Sequence, residues 1–400
     1  MTRVVTVALP NALGEHLIDL APKDSSVFIR GEQGLIGWGE AKRFEAYGPN
    51  RIAELANLWR EYVAGLVIED ALGIPGSGPI AFGAIAFADE SKSSSTLIMP
   101  KVVLGRRDER YWITTVDDSS LPENTAWIEN QPVAFGSGRV GRDQFAELVD
   151  RAVALIEQGA LEKVVLARDL TGAIEPDFDL RPTLNRLLKR YPSCWVYSVD
   201  GMFGASPELL VRVSHSQVSA RVLAGTAARG TDPSVDLAIS KALAESHKNL
   251  AEHEFAVRSL VNALEPFCDH VDADTEPFSL QLPNLWHLAS DVHAVLKSQH
   301  SVLDLASALH PTAAVAGTPR LEALKLIGRL EPFDRGRYAG PVGWIGADGD
   351  GEWVIALRGA QIDGRQITAF AGCGVVSESD GQSELTETDL KFQPILGALS

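Results

Sequence analysis

The stretch "EWVIALRGAQIDGRQITAFAG", residues 352–372, leaves this chain little freedom of fold. Two apolar runs flank Asp363-Gly364, and an Asp-Gly pair between such runs is the signature of a tight antiparallel hairpin. Upstream, "GPVGWIG" is joined to the same stretch by "ADGDG", so a third strand is expected beside the first two. On the middle strand Val354, Ala356 and Arg358 are expected to share a face. An arginine buried there needs a partner, either a structural carboxylate or the carboxylate of a substrate.

The first part of the chain is also strand-rich. "SSVFIR" and "LIGWGE" are expected to form a hairpin with its turn at Gly31 to Gly34, and "IAFGAIAFA" reads as a buried strand. "TLIMPKVVLG" is expected to pair with "RYWITTVD". Residues 51–66 carry helical periodicity. The polar, Pro/Gly-rich stretch 119–141 is the best boundary, dividing a strand-rich part, 1–135, from a second region, 140–400, of the same body.

The second region opens with a helix, on the spacing of Phe145, Leu148, Val149, Ala152 and Ile156, which Gly159 ends. "LEKVVLARDL" follows. It has apolar residues on both faces, so an interior strand is expected, with Lys163 beside Val165 and Ala167. Such a lysine either reaches out from the strand end or is functional. One long helix is expected over roughly 235–264, with Glu245, Asn249 and Glu252 on one face. Near the C-terminus, Glu384, Glu387 and Lys391 share a helix face. That face is either a solvated surface with an ordinary ion pair or a site for a cation and an acidic ligand.

Composition narrows the function. The chain has 400 residues, 45% hydrophobic and 22% charged, with a formal charge of −17. These are globular values. The acidic balance argues against nucleic-acid binding and gives no attraction to anionic lipid. No window approaches the ~18 unbroken apolar residues of a membrane span. The first residues, "MTRVVTVALPNALGEHL", make a poor signal peptide, and a cytoplasmic protein is expected. The three cysteines, Cys194, Cys268 and Cys373, fit neither a disulfide framework nor a zinc site. Cys373, between two glycines, reads as a small residue at a close approach or as a nucleophile. No dimer seam is visible, and the expectation is a monomer.

Ten segments in order carry a resemblance: "EKVVLAR", "ASPELLVR", "LAGTAARG", "KNLAEHE", "HLASDVHA", "LHPTAAVAGTPR", "RLEPFDRGRYAGPVGW", "EWVIALRGAQI", "AFAGCGVV" and "SELTETDLK". From about Phe145 to the C-terminus the chain resembles the chorismate-utilising enzymes, most closely the isochorismate synthases. The resemblance implies an α/β (α+β) body, with two antiparallel β-sheets stacked face to face and helices packed outside. It implies chorismate as substrate and Mg²⁺ as cofactor. Glu252 and Glu387 match the metal ligands, and Glu384 the acid that supports them. Lys163 matches the general base, which must be neutral for part of the time to act. Glu208 matches the general acid, which needs a raised pKa. Arg358, Lys391, Gly225, Thr226, Gly372 and Gly374 match substrate contacts, Tyr338 the wall near the enolpyruvyl group, and His287 a residue beside the reacting ring edge.

Single residues separate the reactions of such enzymes. Family members that add ammonia differ at the position of Lys163. Those that attack the ring covalently carry lysine where this chain has Ala224. Salicylate synthases resemble a threonine at the position of Ala314. The resemblance therefore implies a Mg²⁺-dependent isomerase that makes isochorismate, with a salicylate synthase as the alternative. Asn249 is a departure, since an acid often stands there. The sequence leaves open whether the product feeds menaquinone, siderophore or salicylate formation.

Overall fold

The computed structural model describes residues 1–400 apart from 11–15, 121, 124, 275, 283 and 284, and apart from the side chains of Lys248 and Glu252. Among the described residues, thirteen strands form one sheet and ten form another. The first sheet runs from Phe135–Ser137 through Lys163–Ala173, Gln366–Val375, Gly359–Asp363, Met202–Ser206 and Trp195–Val199 into Ser26–Arg30 and the remaining N-terminal strands. The second runs from Cys268–Ala273 through Leu285–Leu296, Gln217–Ala228, Leu209–Ser214, Gly351–Ile355 and Pro341–Gly346 into Ile80–Ala84, Ser95–Met99 and Lys42–Ala46. Strands from before and after residue 138 thus pair in both sheets. The pairing is antiparallel throughout except at one edge, where Arg3–Leu9 and Val67–Asp70 run parallel.

The sheets share a core in which Trp112, Trp195 and Tyr197 of the first meet Phe82 and Trp353 of the second. The outer face of the first sheet is covered by helices Leu180–Arg190 and Gly381–Ala398. Leu184, Leu187, Phe392 and Ile395 pack there on Val196, Phe203 and Ala369. Helix Arg51–Val63 buries Ile52, Leu55, Ala56 and Trp59, the stripe its sequence spacing specifies. Among the described residues no helix is long and apolar enough to cross a membrane.

Three expectations change, each for a local reason. "TLIMPKVVLG" is not one strand: Ser95–Met99 lies in the second sheet, and Val102–Arg107 lies in the first, where it pairs with Arg110–Val116. Pro100, which cannot donate to a ladder, stands at the crossing. "EWVIALRGA" also divides. Gly351–Ile355 belongs to the second sheet and Gly359–Asp363 to the first, and Arg358 takes a left-handed φ of 50° between them. Val354, Ala356 and Arg358 therefore do not share one strand face. The long helix is two, Pro233–Glu245 and His247–Leu264, because Ser246 is extended and its hydroxyl caps the second helix at the Asn249 N–H. Glu245 therefore lies on a different helix from Asn249 and Glu252.

Candidate active site

The crossings between sheets build the site. Met202–Ser206 leaves the first sheet and, after Pro207-Glu208, continues as Leu209–Ser214 in the second. The break at residues 356–358 lies alongside. The Ile355 N–H donates to the Glu208 carbonyl at 3.1 Å, and the Ala205 N–H to the Arg358 carbonyl at 3.2 Å. Ser206 locks the corner, its hydroxyl donating to the Ile355 carbonyl at 2.6 Å. Two strands that leave a ladder together free two side chains, and Glu208 and Arg358 turn into one cleft.

That cleft encloses a cavity of about 350 Å³. It gathers Lys163, Glu208, Gly225, Thr226, His287, Ala314, Tyr338, Arg358, Gly372, Gly374, Glu384, Glu387 and Lys391, together with Asn249 and Ala224. Glu252 lies in helix His247–Leu264, but its side chain is outside the described residues. Ala167, expected beside Lys163, does not line the cleft.

Lys163 opens the strand Lys163–Ala173, paired on both sides as its apolar faces require. A methyl group on Gly374 would lie 2.9 Å from Lys163 Cε, so the lysine occupies room that the glycine leaves. Glu208 is 6% exposed. Burial pushes its carboxyl up to about 8, against the pull of Arg358, Lys163 and Lys391. It is therefore mostly protonated at neutral pH.

Gly225 sits at a bulge between Leu223 and Thr226 with φ of 85°, a left-handed value that glycine accepts without strain. The bulge brings Thr226 opposite His287, and Thr226 Oγ1 lies 3.0 Å from His287 Nδ1. Arg358 donates to His287 Nε2 at 3.5 Å, which leaves the ring proton on Nδ1. Burial, with Arg358 and Lys391 nearby, holds the His287 pKa down to about 3, so the ring stays neutral. Tyr338 stacks on Phe370, with centroids 5.1 Å apart and planes 14° from parallel.

Helix Gly381–Ala398 supplies the acidic wall. Asp380 caps it by accepting from the Gln382 and Ser383 N–H groups. Lys391 donates to Glu387 Oε1 at 2.5 Å and to the Gly372 carbonyl at 2.9 Å. Burial raises the Glu387 carboxyl, but Lys391, Arg358 and Lys163 outweigh it and hold it below its ordinary range. Burial and the charge of Glu387 raise Glu384. Glu384 Oε1 accepts from Ser379 at 2.8 Å, and the carboxylate also meets the Cys373 thiol. The face bearing Glu384, Glu387 and Lys391 is thus a cleft wall rather than a solvated surface.

No group of three His, Cys, Asp or Glu converges on one point among the described residues. Five acidic residues line the cleft, Glu208, Glu378, Asp380, Glu384 and Glu387, and of these Glu384 and Glu387 share one helix. Mg²⁺ takes one or two carboxylates and fills its other positions with water and substrate oxygens, so this donor set fits it.

Some residues of the site escaped the sequence reading. His253 is buried, its ring set 3.2 Å from the Ala224 carbonyl and 2.9 Å from Ser290 Oγ. It ties the helix of Asn249 to the strands of Gly225 and His287. Arg335, in the cleft wall, forms a buried pair with Glu331. It donates to the Val165 and Val315 carbonyls at 2.7 and 2.9 Å, and Glu331 accepts from the Ala167 N–H at 2.8 Å. Both lie inside motifs quoted above, "KNLAEHE" and "RLEPFDRGRYAGPVGW", and that is the signal that could have found them. The cysteines Cys194, Cys268 and Cys373 are all buried and unbridged, and burial raises the Cys373 pKa well above a free thiol's.

Residues 20–131 and 117–400 match the family described as chorismate binding enzyme. A Mycobacterium tuberculosis protein, provisionally named isochorismate synthase MenF, is 39% identical over 338 residues, 81% of this chain and 87% of that protein. The salicylate biosynthesis isochorismate synthase of Pseudomonas aeruginosa is 31% identical over 399 residues, 92% of this chain and 83% of that protein. The solved structure of MenF, the menaquinone-specific isochorismate synthase of Escherichia coli, has the same fold. It superposes with a TM-score of 0.82 at 23% identity, over 100% of this chain and 95% of that one.

Proposed function

This chain belongs to the chorismate binding enzymes, and from that premise we propose that it is an isomerase that turns chorismate into isochorismate. The observation that carries the mechanism is one cleft holding Lys163 together with a buried carboxyl, Glu208, raised to about 8. The reaction adds water at one ring carbon while a hydroxyl leaves another and the double bonds shift. Lys163 takes a proton from the attacking water. Glu208 gives its proton to the departing hydroxyl, which leaves as water. Arg358 and Lys391 meet the substrate's carboxylates, and the backbone at Gly372 and Gly374 approaches them closely. Gly225 and Thr226 contact the ring side, neutral His287 lies at the ring edge, and Tyr338 walls the enolpyruvyl group.

Mg²⁺ would be held by Glu387 and Glu252 with Glu384 in support, and when bound it would neutralise a substrate carboxylate. Asn249 adds no charge there. Ala314 has no hydroxyl to steer the enolpyruvyl group towards elimination, which favours release of isochorismate over a salicylate-forming lyase. Chromatography of purified protein with chorismate and Mg²⁺ tests the reading: isochorismate should accumulate near neutral pH. Salicylate with equimolar pyruvate from the earliest time points would replace the isomerase by the lyase.

A further inference from the structure

A second cavity, of about 550 Å³, shares a wall with the cleft. Glu208 and Ala314 line both. Its other walls come from Glu162, from Arg221 and Val222 of strand Gln217–Ala228, from helices His247–Leu264 and Val302–Leu309 and from residues 311–320, and it reaches the surface at the exposed Phe255 and Ser259. Thr312 lines it too, and the Thr312 hydroxyl oxygen is buried with no hydrogen-bond partner. A buried hydroxyl left this way is normally met by ordered water.

The isomerisation, on the reading above, makes a demand that one opening cannot meet. Water is consumed on the side of Lys163, and a new water appears beside Glu208 while the ring still fills the cleft. At that moment Lys163 has gained a proton and Glu208 has lost one. Glu208 is then a carboxylate at 6% exposure, next to a water with nowhere to go unless another space adjoins it. We propose that the second cavity is a rear water passage, through which the water released beside Glu208 exchanges with solvent while substrate or product still occupies the cleft. The same file of water lets Glu208 recover its proton. This inference rests on the isomerase reading of Glu208.

The test counts water exchange per turnover. Chorismate carrying a heavy-oxygen label in the hydroxyl that leaves is held with the full-length protein and Mg²⁺. Loss of label from chorismate is followed by mass spectrometry. Interconversion with isochorismate is followed in the same tube by carbon-label exchange. The ratio of the two rates does not depend on how much protein is folded. Ala263→Phe and Ala308→Phe, on two different helices, place bulk in the cavity without touching the cleft. Label loss should keep pace with interconversion in the wild-type chain and lag it several-fold in both variants, because the trapped water returns to the ring. Equal label loss per interconversion in all three proteins would overturn the passage. If the wild-type chain makes no isochorismate at all, the isomerase reading falls and takes the passage with it.

Discussion

Glu208 pays for its chemistry in stability. Its folded pKa of about 8 lies above the ordinary 4.5. Between those values the folded chain holds a proton that the unfolded chain has lost. Stability therefore falls as pH rises through that window. Glu208→Gln, which cannot ionise, should be more stable than the parent at pH 7 by up to about 3 kcal/mol. The gain should vanish near pH 4. Urea unfolding at the two pH values measures it, and a gain of the same size at both would disconnect it from ionisation. In the proposed mechanism the same proton is the catalytic one, so kcat/KM should decline above pH about 8 as the acid is lost. A profile that rises without a break to pH 10 would exclude Glu208 as the acid. Residue by residue, motifs in a fixed order named most of the side chains that the fold gathers in this cleft. The partners that hold them, His253 and the Arg335–Glu331 pair, were not legible, since a buried ion pair or a satisfied histidine leaves no periodicity to read.

Elements place these residues to within an ångström. Lys163 shares space with Gly374 on the neighbouring strand. Arg168 on the lysine's strand donates to Thr388 Oγ1 at 2.8 Å and pairs with Asp389, which pins the helix of Glu384, Glu387 and Lys391 to that strand. Gly374→Ala should leave the sheet intact but displace the Lys163 side-chain nitrogen, because the far end of a flexible side chain yields before the backbone does. We expect a drop in kcat of about 10²-fold, the scale of a misplaced catalytic group, with little change in unfolding midpoint. Wild-type kcat in a folded Gly374→Ala protein would show that the lysine's position is not set there. At this scale the sequence was least transparent. Helical stripes and the Asp363-Gly364 turn were readable because they repeat locally. The crossings at Pro100, at Pro207-Glu208 and at residues 356–358 were not, because a strand that changes sheets keeps the same apolar alternation on both sides of the bend. Ser246 ended a helix by capping the next one, inside a run whose periodicity carries across it.

The whole molecule is a device for bringing opposite charges into one cleft of a strongly acidic body. Lys163, Arg358 and Lys391 face Glu384 and Glu387 inside a chain of net charge −17. A dianionic substrate approaching that body needs a local cation, and Glu384 and Glu387 invite Mg²⁺. Chelation with EDTA should stop turnover and Mg²⁺ restore it, while full activity in chelator would remove the metal from the account. Asn249→Asp should tighten metal binding, read directly by calorimetric titration of Mg²⁺ into the protein. An unchanged titration would set Asn249 outside the metal's reach. The two-sheet body was foreseeable from the family resemblance that the motifs carry. Its division of strands between sheets depended on long-range packing that no local pattern records.

The central claim is that Lys163 and Glu208 share the chemistry between them. Turnover of chorismate by Lys163→Ala and by Glu208→Gln, each with substrate binding measured beside it, tests this most directly. The account predicts that each loses roughly 10²–10⁴-fold in kcat, the scale of a general acid or base, while still binding chorismate. Wild-type turnover by either variant, in a preparation free of host enzyme, would contradict it.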